Sequence, residues 1–200
     1  MFSPPPRPPD PDQDLVTRAQ AGDTRAFDAL ILKHGDRLFG LVYQMTGNKD
    51  DTHDLLQETF AKGYRSIRSF RSSSTFSTWI HQIAVNLTLN FLKRRKRRPS
   101  VSINEIDATG DQDPGIADSS IQSDPERQSS LAELQKKLNE ALAKLSDSHR
   151  TVVTMFDIQG IPHAEIARIL KISEGTVRSR LHYAHLQLQN ALQDHWDERF

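Results

Sequence analysis

The sequence contains no cysteine, no long hydrophobic run and no recognisable catalytic motif. The absence of cysteine from all 200 residues excludes disulfide bonds and thiolate metal sites. No stretch is apolar enough to span a bilayer, and no apolar core follows Met1 as it would in a secretory signal, so we expect a cytoplasmic protein. Phosphate-binding glycine loops, nucleophile motifs and clusters of metal ligands are also missing. The sequence therefore predicts a protein that is not an enzyme and that uses no cofactor and no metal.

The chain also lacks a net charge, but this balance hides an uneven distribution. Residues 1–98 hold 16 Lys/Arg against 10 Asp/Glu, residues 99–130 hold 1 against 7, and residues 131–200 hold 9 of each. A basic, an acidic and a balanced segment therefore follow one another. Because 36% of the residues are hydrophobic and 26% are charged, we expect soluble globular domains.

Two segments lack any sustained hydrophobic period. Residues 1–13 include six prolines and predict a disordered arm. Residues 99–130 are rich in Ser, Asp, Gly and Pro, which is typical of a flexible acidic linker. Residues 14–98 and 131–200 instead show the spacing of amphipathic helices. The sequence therefore predicts an all-α protein with two small helical domains joined by a linker.

The first domain divides into helices at turn and capping residues. Asp14 is expected to cap a first helix that Gly22 ends, and Asp23 is expected to open a second. The apolar pattern breaks again at the Gly47-Asn48 turn, and residues 49–64 predict a further helix. The inward-facing residues of that helix would be Leu55, Leu56, Thr59 and Phe60.

The same helix carries a polar surface whose role the spacing leaves open. Asp50 and Asp51 lie in its first turn, where the helix dipole alone accounts for acidic residues. Gln57 and Glu58 lie beyond the reach of that dipole. They are either an ordinary solvated face or a protein-binding surface.

The stretch from Phe70 to Arg98 combines loop aromatics, an amphipathic helix and a basic run. A helix is predicted from about Ser77 and should end before Pro99. Four apolar residues recur on one face of it, and core packing is the usual fate of such a stripe. They are Trp79, Ile83, Leu87 and Phe91. Residues 93–98 are all Lys or Arg without an acidic neighbour, which favours nucleic-acid binding over a solvated helix end.

The second domain contains the spacing of a helix-turn-helix. Ile166, Ala167 and Leu170 form the inner face of one helix, residues 171–173 form a turn, and a second helix follows. Val177 and Leu181 are expected to anchor this second helix. A helical hairpin alone is a common structural unit, but two arginines on the outer surface favour DNA binding.

Three segments together resemble the extracytoplasmic-function branch of bacterial RNA polymerase sigma factors. They are DLLQETFAKGYRSIRSF (residues 54–70), FSTWIHQIAVN (76–86) and EIARILKISEGTVRSRLHYA (165–184). The resemblance implies that the first domain binds the polymerase clamp and opens the −10 promoter element by capturing a flipped base. It implies that the second domain reads the −35 element in the major groove. The implied partners are core RNA polymerase, through its clamp and flap, and promoter DNA; an anti-sigma factor is left open, and no membrane insertion is expected.

The resemblance also implies individual site residues. The expected polymerase contacts are Asp51, Asp54, Gln57 and Glu58. The expected contacts with the −10 element are Phe70, Arg71, Ser74, Phe76, Asn86, Asn90, Lys93, Arg94 and Arg97. The expected contacts with the −35 element are Ser173, Thr176, Arg178, Ser179, Arg180 and His182. Trp79 matches the helix beneath the base-capturing loop, but we interpret it as structural.

The sequence departs from the family pattern at several positions. Thr52 and His53 stand where an alanine and an acidic residue are usual, and Lys171 stands where a turn glycine is usual, which predicts a lysine in the left-handed conformation. His182 and His185 occupy a region that is often basic. They have the spacing of a metal pair, but no third ligand lies nearby, so we predict no metal there.

Other interpretations remain open from the sequence. The protein could be a helix-turn-helix regulator that binds DNA without polymerase, usually as a dimer. It could be an RNA-binding or scaffold protein that uses only the basic run at 93–98. The acidic linker either enters the polymerase cleft, as the resemblance suggests, or is a solvated tether.

Overall fold

The computed structural model describes residues 10–71, 74–97 and 125–197. Within these ranges the chain forms eight helices and no strand, which confirms the all-α prediction. The helices are α1 (Gln13–Gln20), α2 (Thr24–Thr46), α3 (Lys49–Ser66), α4 (Phe76–Arg97), α5 (Pro125–Lys144), α6 (Asp147–Val153), α7 (His163–Leu170) and α8 (Glu174–Asp197). A 3-10 turn, Ile67–Ser69, follows α3, and α6 continues as a π-helical turn over Thr154–Ile158. No helix among the described residues has both the length and the apolarity that a membrane span needs.

Side-chain caps define several of the helix starts. Asp23, Asn48 and Ser146 each accept a hydrogen bond from a main-chain N–H in the first turn of α2, α3 and α6. The predicted cap at Asp14 is wrong, because α1 begins at Gln13 and Asp14 lies inside its first turn. The helix starts earlier because the Asp10 carbonyl already accepts from the Gln13 N–H at 3.0 Å.

The first domain packs α1 to α4 around one apolar core. Its fully buried members include Val16, Leu30, Leu38, Val42 and Ile80. Helices α3 and α4 approach closely at Gly63, where an added Cβ would lie 2.9 Å from the Ile80 side chain. A larger residue at this position would require the terminal methyl group of Ile80 to move.

The second domain contains the predicted helix-turn-helix. Helix α7 ends at Lys171, which adopts the left-handed conformation with φ of 54°. Val177 and Leu181 are 0% and 4% exposed and anchor α8 on the core. The predictions for the turn lysine and for both anchors are therefore confirmed.

The two domains pack directly against each other. Leu41, Met45, Val85 and Leu92 of the first domain belong to the same buried cluster as the core of the second domain. Polar contacts cross the interface as well: the Thr78 hydroxyl donates to the Glu165 carboxylate at 2.8 Å. Gln82 donates to the Arg168 carbonyl at 3.2 Å, and Lys96 pairs with Asp147 at 2.7 Å. These contacts place α4 against α7.

The structure places some residues of both segments that were predicted to be irregular in helices or buried positions. Of the arm predicted over 1–13, residues 1–9 lie outside the described residues, but Asp12 is only 1% exposed and Gln13 begins α1. Of the linker predicted over 99–130, residues 99–124 lie outside the described residues, and α5 begins at Pro125. Proline suits the first position of a helix, because its missing N–H is not needed there.

Candidate polymerase and promoter interfaces

The expected polymerase contacts lie on one polar face of α3. Asp54, Gln57 and Glu58 are exposed, while the opposite side of the helix packs into the core. Asp51 is half-buried and accepts from the Arg95 guanidinium of α4 at 3.2 Å. Asp51 is therefore engaged within the chain, and the other three side chains form the accessible part of this face.

The loop aromatics form a packed cluster rather than an open surface. Phe70 is 7% exposed and Phe76 is 2% exposed, and their ring centroids lie 6.5 Å apart. The Trp79 ring lies 5.0 Å from Phe70 and 5.7 Å from Phe76, which confirms its predicted packing role. In this conformation the two phenylalanines support the loop from below. Among the described loop residues, Arg71 is exposed and Ser74 is half-buried.

A stripe of exposed polar residues runs along α4 from Asn86, about midway along the helix, to the basic end. Asn86, Asn90, Lys93 and Arg97 recur at i, i+4, i+7 and i+11 and are all exposed. Such spacing places them along one side of the helix. We call these four residues, with the neighbouring Arg94, the α4 stripe.

The basic run of α4 divides into paired and unpaired cations. Arg95 pairs with Asp51, and Lys96 pairs with Asp147, so the run does have acidic partners in the folded chain. No ion pair joins Lys93, Arg94 or Arg97 to another residue in the part of the chain that the structure describes. The unpaired cations are the three expected at the −10 element, whereas Arg98 lies outside the described residues.

Helix α8 presents the expected −35 residues on its outer side. Ser173 caps the helix by accepting from the Thr176 N–H at 3.0 Å, and its hydroxyl lies 2.8 Å from that of Thr176. At 100° per residue, Ser179 lies opposite the buried Val177 and Leu181 face. Arg178 and Arg180 lie on its two flanks, the first exposed and the second half-buried, and His182 is exposed. The site residues expected on α8 therefore share one outward surface.

A buried histidine lies at the domain interface, and the sequence patterns did not reveal it. His81 is 3% exposed, and its Nδ1 donates to the Ser77 carbonyl at 2.8 Å. Its Nε2 has no hydrogen-bond partner, and burial lowers the pKa of the imidazole from its ordinary value. His81, Arg37 and Glu165 line a polar cavity of about 160 Å³ between the domains. The neutral form of His81 is therefore the one that fits the folded chain.

Two further observations concern ligands. The described residues contain no group of three or more side chains arranged to hold a metal ion. His185 bonds Asp157 at 2.8 Å, and both side chains are exposed. A mostly apolar groove of about 320 Å³ lies between α5, the π-helical turn and α8, lined by Leu142, Ile158 and Leu188 together with this pair.

Protein-family models match both halves of the chain. Residues 30–98 match sigma-70 region 2, and residues 135–188 match sigma-70 region 4. The RNA polymerase sigma-H factor of Pseudomonas aeruginosa is 36% identical over 184 residues, covering 91% of this chain and 94% of that protein. The ECF RNA polymerase sigma-E factor of Haemophilus influenzae is 34% identical, covering 91% of this chain and 95% of that protein. The chain belongs to the extracytoplasmic-function branch of the sigma-70 family.

The sigma factor therefore acts in transcription initiation by directing RNA polymerase to promoters, and its partners are core polymerase and promoter DNA. Region 2 comprises most of α2 together with α3 and α4, and region 4 comprises the second half of α5 and continues into α8.

Solved structures share the fold at lower identity. The structure of CnrH in complex with the cytosolic domain of CnrY matches with a TM-score of 0.66 at 23% identity, covering 92% of this chain and 97% of that chain. A sigma factor RpoE in complex with the anti-sigma factor NepR, from Bartonella quintana, matches with a TM-score of 0.62 at 21% identity, covering 84% of this chain and 96% of that chain. At these identities the likeness supports the two-domain helical fold and no individual contact.

Proposed function

We propose that this sigma factor opens the −10 element with its α3–α4 loop and the α4 stripe, and reads the −35 element with α8. The single observation that carries the −10 assignment is the stripe itself. It lies on α4, the helix that follows the loop holding Arg71 and Ser74, and its three cations have no ion-pair partner among the described residues. Unpaired cations along one helix face are free to neutralise successive phosphates.

The proposed opening step needs no bond chemistry from this chain. Flipping a base out of the stack costs a few kcal/mol, which hydrogen bonds and packing in a fitted site offset. Arg71 and Ser74 supply donors to the flipped base, and Asn86, about midway along α4, contacts a neighbouring nucleotide. The rings of Phe70 and Phe76 pack in the core of the first domain and hold this surface in place. Catalysis of RNA synthesis belongs to the polymerase, which the exposed face of α3 would bind.

For the −35 element, α8 enters the major groove with its N-terminal half. Ser179 and Thr176 face outward near the helix start, within reach of base edges. The flanking Arg178 and Arg180 point to different sides, so one reads a base while the other holds a phosphate. We assign the base contact to Arg178, because it is the more exposed of the two.

Simultaneous contact with both elements requires the two domains to separate. The elements are named for positions about 25 base pairs apart, which is about 85 Å of duplex at 3.4 Å per base pair. In the packed chain α8 lies on α7 and α7 lies on α4, and neighbouring helix axes are only about 8–10 Å apart. The 27 residues from 98 to 124 join the domains and span at most about 90 Å when fully extended. Chain length therefore permits the separation that the promoter demands.

The apolar groove of the second domain is the surface we assign to the polymerase flap. Ile158 is 46% exposed at its rim, although it belongs to an otherwise packed apolar wall. Exposed apolar grooves of this kind commonly receive an apolar helix or loop of a partner. By analogy with the RpoE–NepR complex, we also propose an anti-sigma partner, which would favour the packed arrangement of the domains. All of these contacts belong to the cytoplasm, where polymerase acts.

Open-complex formation by Ser74→Ala with Asn86→Ala tests the −10 assignment. Both changes remove hydrogen-bonding groups and little volume. Permanganate reactivity of unpaired thymines should fall on a duplex promoter. A template mismatched at −10 should recover only the part of the loss that is due to melting. Ser148→Ala with Asn190→Ala makes the same chemical changes at a half-buried serine of α6 and an exposed asparagine of α8, and should open the duplex like wild type. Wild-type opening by the Ser74/Asn86 variant would contradict the assignment.

A further inference from the structure

The start of the α3–α4 loop is held by a residue from α1. The Gln20 side-chain amide donates to the Ile67 carbonyl at 3.1 Å and to the Phe70 carbonyl at 2.8 Å. Gln20 is the last residue of α1 and is half-buried. One side-chain amide thus donates to two main-chain carbonyls at the point where the chain leaves the 3-10 turn and enters the loop.

The end of the loop is held by a residue that precedes α1. The Asp10 carboxylate accepts from the Phe76 N–H at 2.6 Å, across 66 residues of sequence. Phe76 is the first residue of α4, and a carboxylate at a helix N-terminus satisfies an unpaired donor and opposes the helix dipole. The second carboxylate oxygen of Asp10 accepts from the Asp12 N–H at 3.0 Å.

The segment that carries Asp10 is itself fixed to α2. The Asp12 carboxylate is 1% exposed and pairs with Lys33 on one oxygen and with His34 on the other, at 2.7 Å. The His34 ring in turn packs on Phe76, with centroids 5.4 Å apart. Asp10 is therefore held in place by a buried network and is not a mobile surface residue.

We propose that Asp10 and Gln20 are positioning residues for −10 recognition. The two side chains hold opposite ends of the loop, so that Arg71 and Ser74 are presented in one arrangement before DNA arrives. Fixing a binding surface in advance lowers the entropy lost on binding, and it makes contacts with a flipped base depend on groups that never touch the base. This inference rests on the proposed role of the loop in −10 recognition. It gives the segment before α1, predicted as part of a disordered arm, a function in promoter opening.

The two residues differ from ordinary core residues in where their bonds end. Gln20 is bound to Ile67 and Phe70, and Asp10 is bound to Phe76, so both act on the main chain that borders the loop. Neither belongs to the apolar core of the first domain. Loss of these bonds should therefore release the loop more than it loosens the domain.

Variants that remove a hydrogen-bonding group without enlarging the side chain separate a positioning role from a packing role. Gln20→Glu keeps the shape but removes the donor, and Asp10→Ala removes both acceptors. Asp10→Asn keeps one acceptor oxygen, so its affinity for the −10 strand should lie between those of wild type and Asp10→Ala. Asp14→Ala is the matched control, because Asp14 is an exposed acidic residue of the same segment without a contact to the loop.

The measurement is the affinity of reconstituted holoenzyme for a single-stranded oligonucleotide carrying the −10 sequence. Gln20→Glu and Asp10→Ala should each weaken it by about three- to tenfold, as expected for the loss of one or two hydrogen bonds. Affinity for a −35 duplex and affinity for core polymerase should stay near wild type, while the unfolding midpoint should fall modestly, because each variant leaves two main-chain groups without a side-chain partner. When Ser74→Ala is combined with either variant, its own effect should shrink, because the loop no longer presents the hydroxyl in register.

Two results would overturn the inference. One is wild-type affinity for the −10 strand in both variants while Ser74→Ala with Asn86→Ala still lowers opening, which leaves the proposed function standing. The other is a loss that is additive with Ser74→Ala and accompanied by a similar fold-loss in −35 binding, which is the pattern of a structural role. If Ser74→Ala with Asn86→Ala has no effect on opening, it is the proposed function of the loop that fails.

Discussion

The Arg150 guanidinium donates to the main-chain carbonyl of Met45 at 3.0 Å and so joins the second domain to the end of α2. The same group also donates to three carbonyls at the end of α5 and just beyond it, those of Leu142, Ala143 and Leu145. Helix ends leave carbonyls without partners, and a cation there is favoured by the dipole. Arg150 is half-buried, and burial lowers its pKa from the ordinary value. The four carbonyl acceptors compensate for the water that the guanidinium loses on burial.

Arg150→Met should destabilise the chain because it leaves several partly buried carbonyls unpaired. Hydrogen bonds from a charged donor contribute about 1.5–3 kcal/mol each and are not additive, so we expect a loss of about 2 kcal/mol in the free energy of unfolding. For a chain of this size, that corresponds to a fall of about 4–8 °C in the unfolding midpoint. Calorimetry of the full chain measures it. Arg168→Met, at an exposed arginine of α7, should leave the midpoint within about 1 °C of wild type.

Gln57→Ala with Glu58→Ala should weaken binding to core polymerase. Both side chains are exposed on α3, and neither contributes to the core of the first domain. Fewer than about 30% of interface residues cost more than 1 kcal/mol when truncated, and we assign this pair to that minority. The affinity should therefore fall at least about fivefold, with an unchanged unfolding midpoint. Fluorescence anisotropy of the labelled sigma factor against core polymerase measures it.

The control for this surface is Gln13→Ala with Asp28→Ala, which removes an amide and a carboxylate from exposed positions on α1 and α2. This variant should bind core polymerase like wild type. Equal affinity of the two double variants would refute the assignment of the α3 face.

Arg178→Ala and Arg180→Ala should affect promoter choice differently. Loss of a bidentate base contact at Arg178 should cost about 1–3 kcal/mol and relax the preference at one −35 position. Loss of a phosphate contact at Arg180 should weaken all −35 sequences alike and reduce the salt slope of binding by about one. Selection of −35 sequences by holoenzyme, followed by binding at several salt concentrations, separates the two. A wild-type sequence profile for Arg178→Ala would contradict the assignment.

His81 should make the folded chain less stable as the pH falls. Its pKa is lowered by burial, so below about 6.5, the usual pKa of histidine, the unfolded chain takes up a proton that the folded chain does not. The stability that neutral His81 gives the folded chain is therefore fully present above that pH and is lost as the pH drops. His34 and Arg37 of α2 oppose protonation of His81, while Glu165 of α7 and the Ser77 carbonyl favour it.

The comparison is between unfolding midpoints from pH 7.5 to pH 5 for wild type and His81→Asn, whose amide keeps a donor for the Ser77 carbonyl. The variant should show the shallower fall with decreasing pH. His53→Asn, at an exposed histidine of α3, should follow the wild-type slope. Parallel slopes for all three proteins would remove His81 as a cause of acid sensitivity.

Local patterns predicted the second domain well, because its determinants lie close together in sequence. The left-handed Lys171 follows from the short turn between two helices, and Val177 and Leu181 are buried because a four-residue spacing places them on one face. The cap at Ser146 is local in the same way, since it accepts from an N–H three residues along the chain. In these cases the sequence separation is shorter than one helical turn or close to it.

Contacts across long separations were not predictable in this way. Nothing in the local pattern indicates that Asp10 binds the Phe76 N–H or that Arg95 pairs with Asp51. The burial of Phe70 was also missed, because a loop aromatic beside a basic helix suggests an exposed base platform. The packing of α4 on α7 depends on both domains together, so neither half of the sequence shows it.

Transcription by core polymerase from linear promoters tests the function most directly. Promoters are first selected from a random library with reconstituted holoenzyme, and run-off synthesis is then measured with the −35 or the −10 element replaced. We predict that initiation requires the sigma factor and both elements, and that the free protein binds the −35 duplex much more weakly than holoenzyme does. Core polymerase that gains no promoter-dependent synthesis, together with equally tight −35 binding by the free protein, would instead identify a stand-alone regulator and contradict the proposed function.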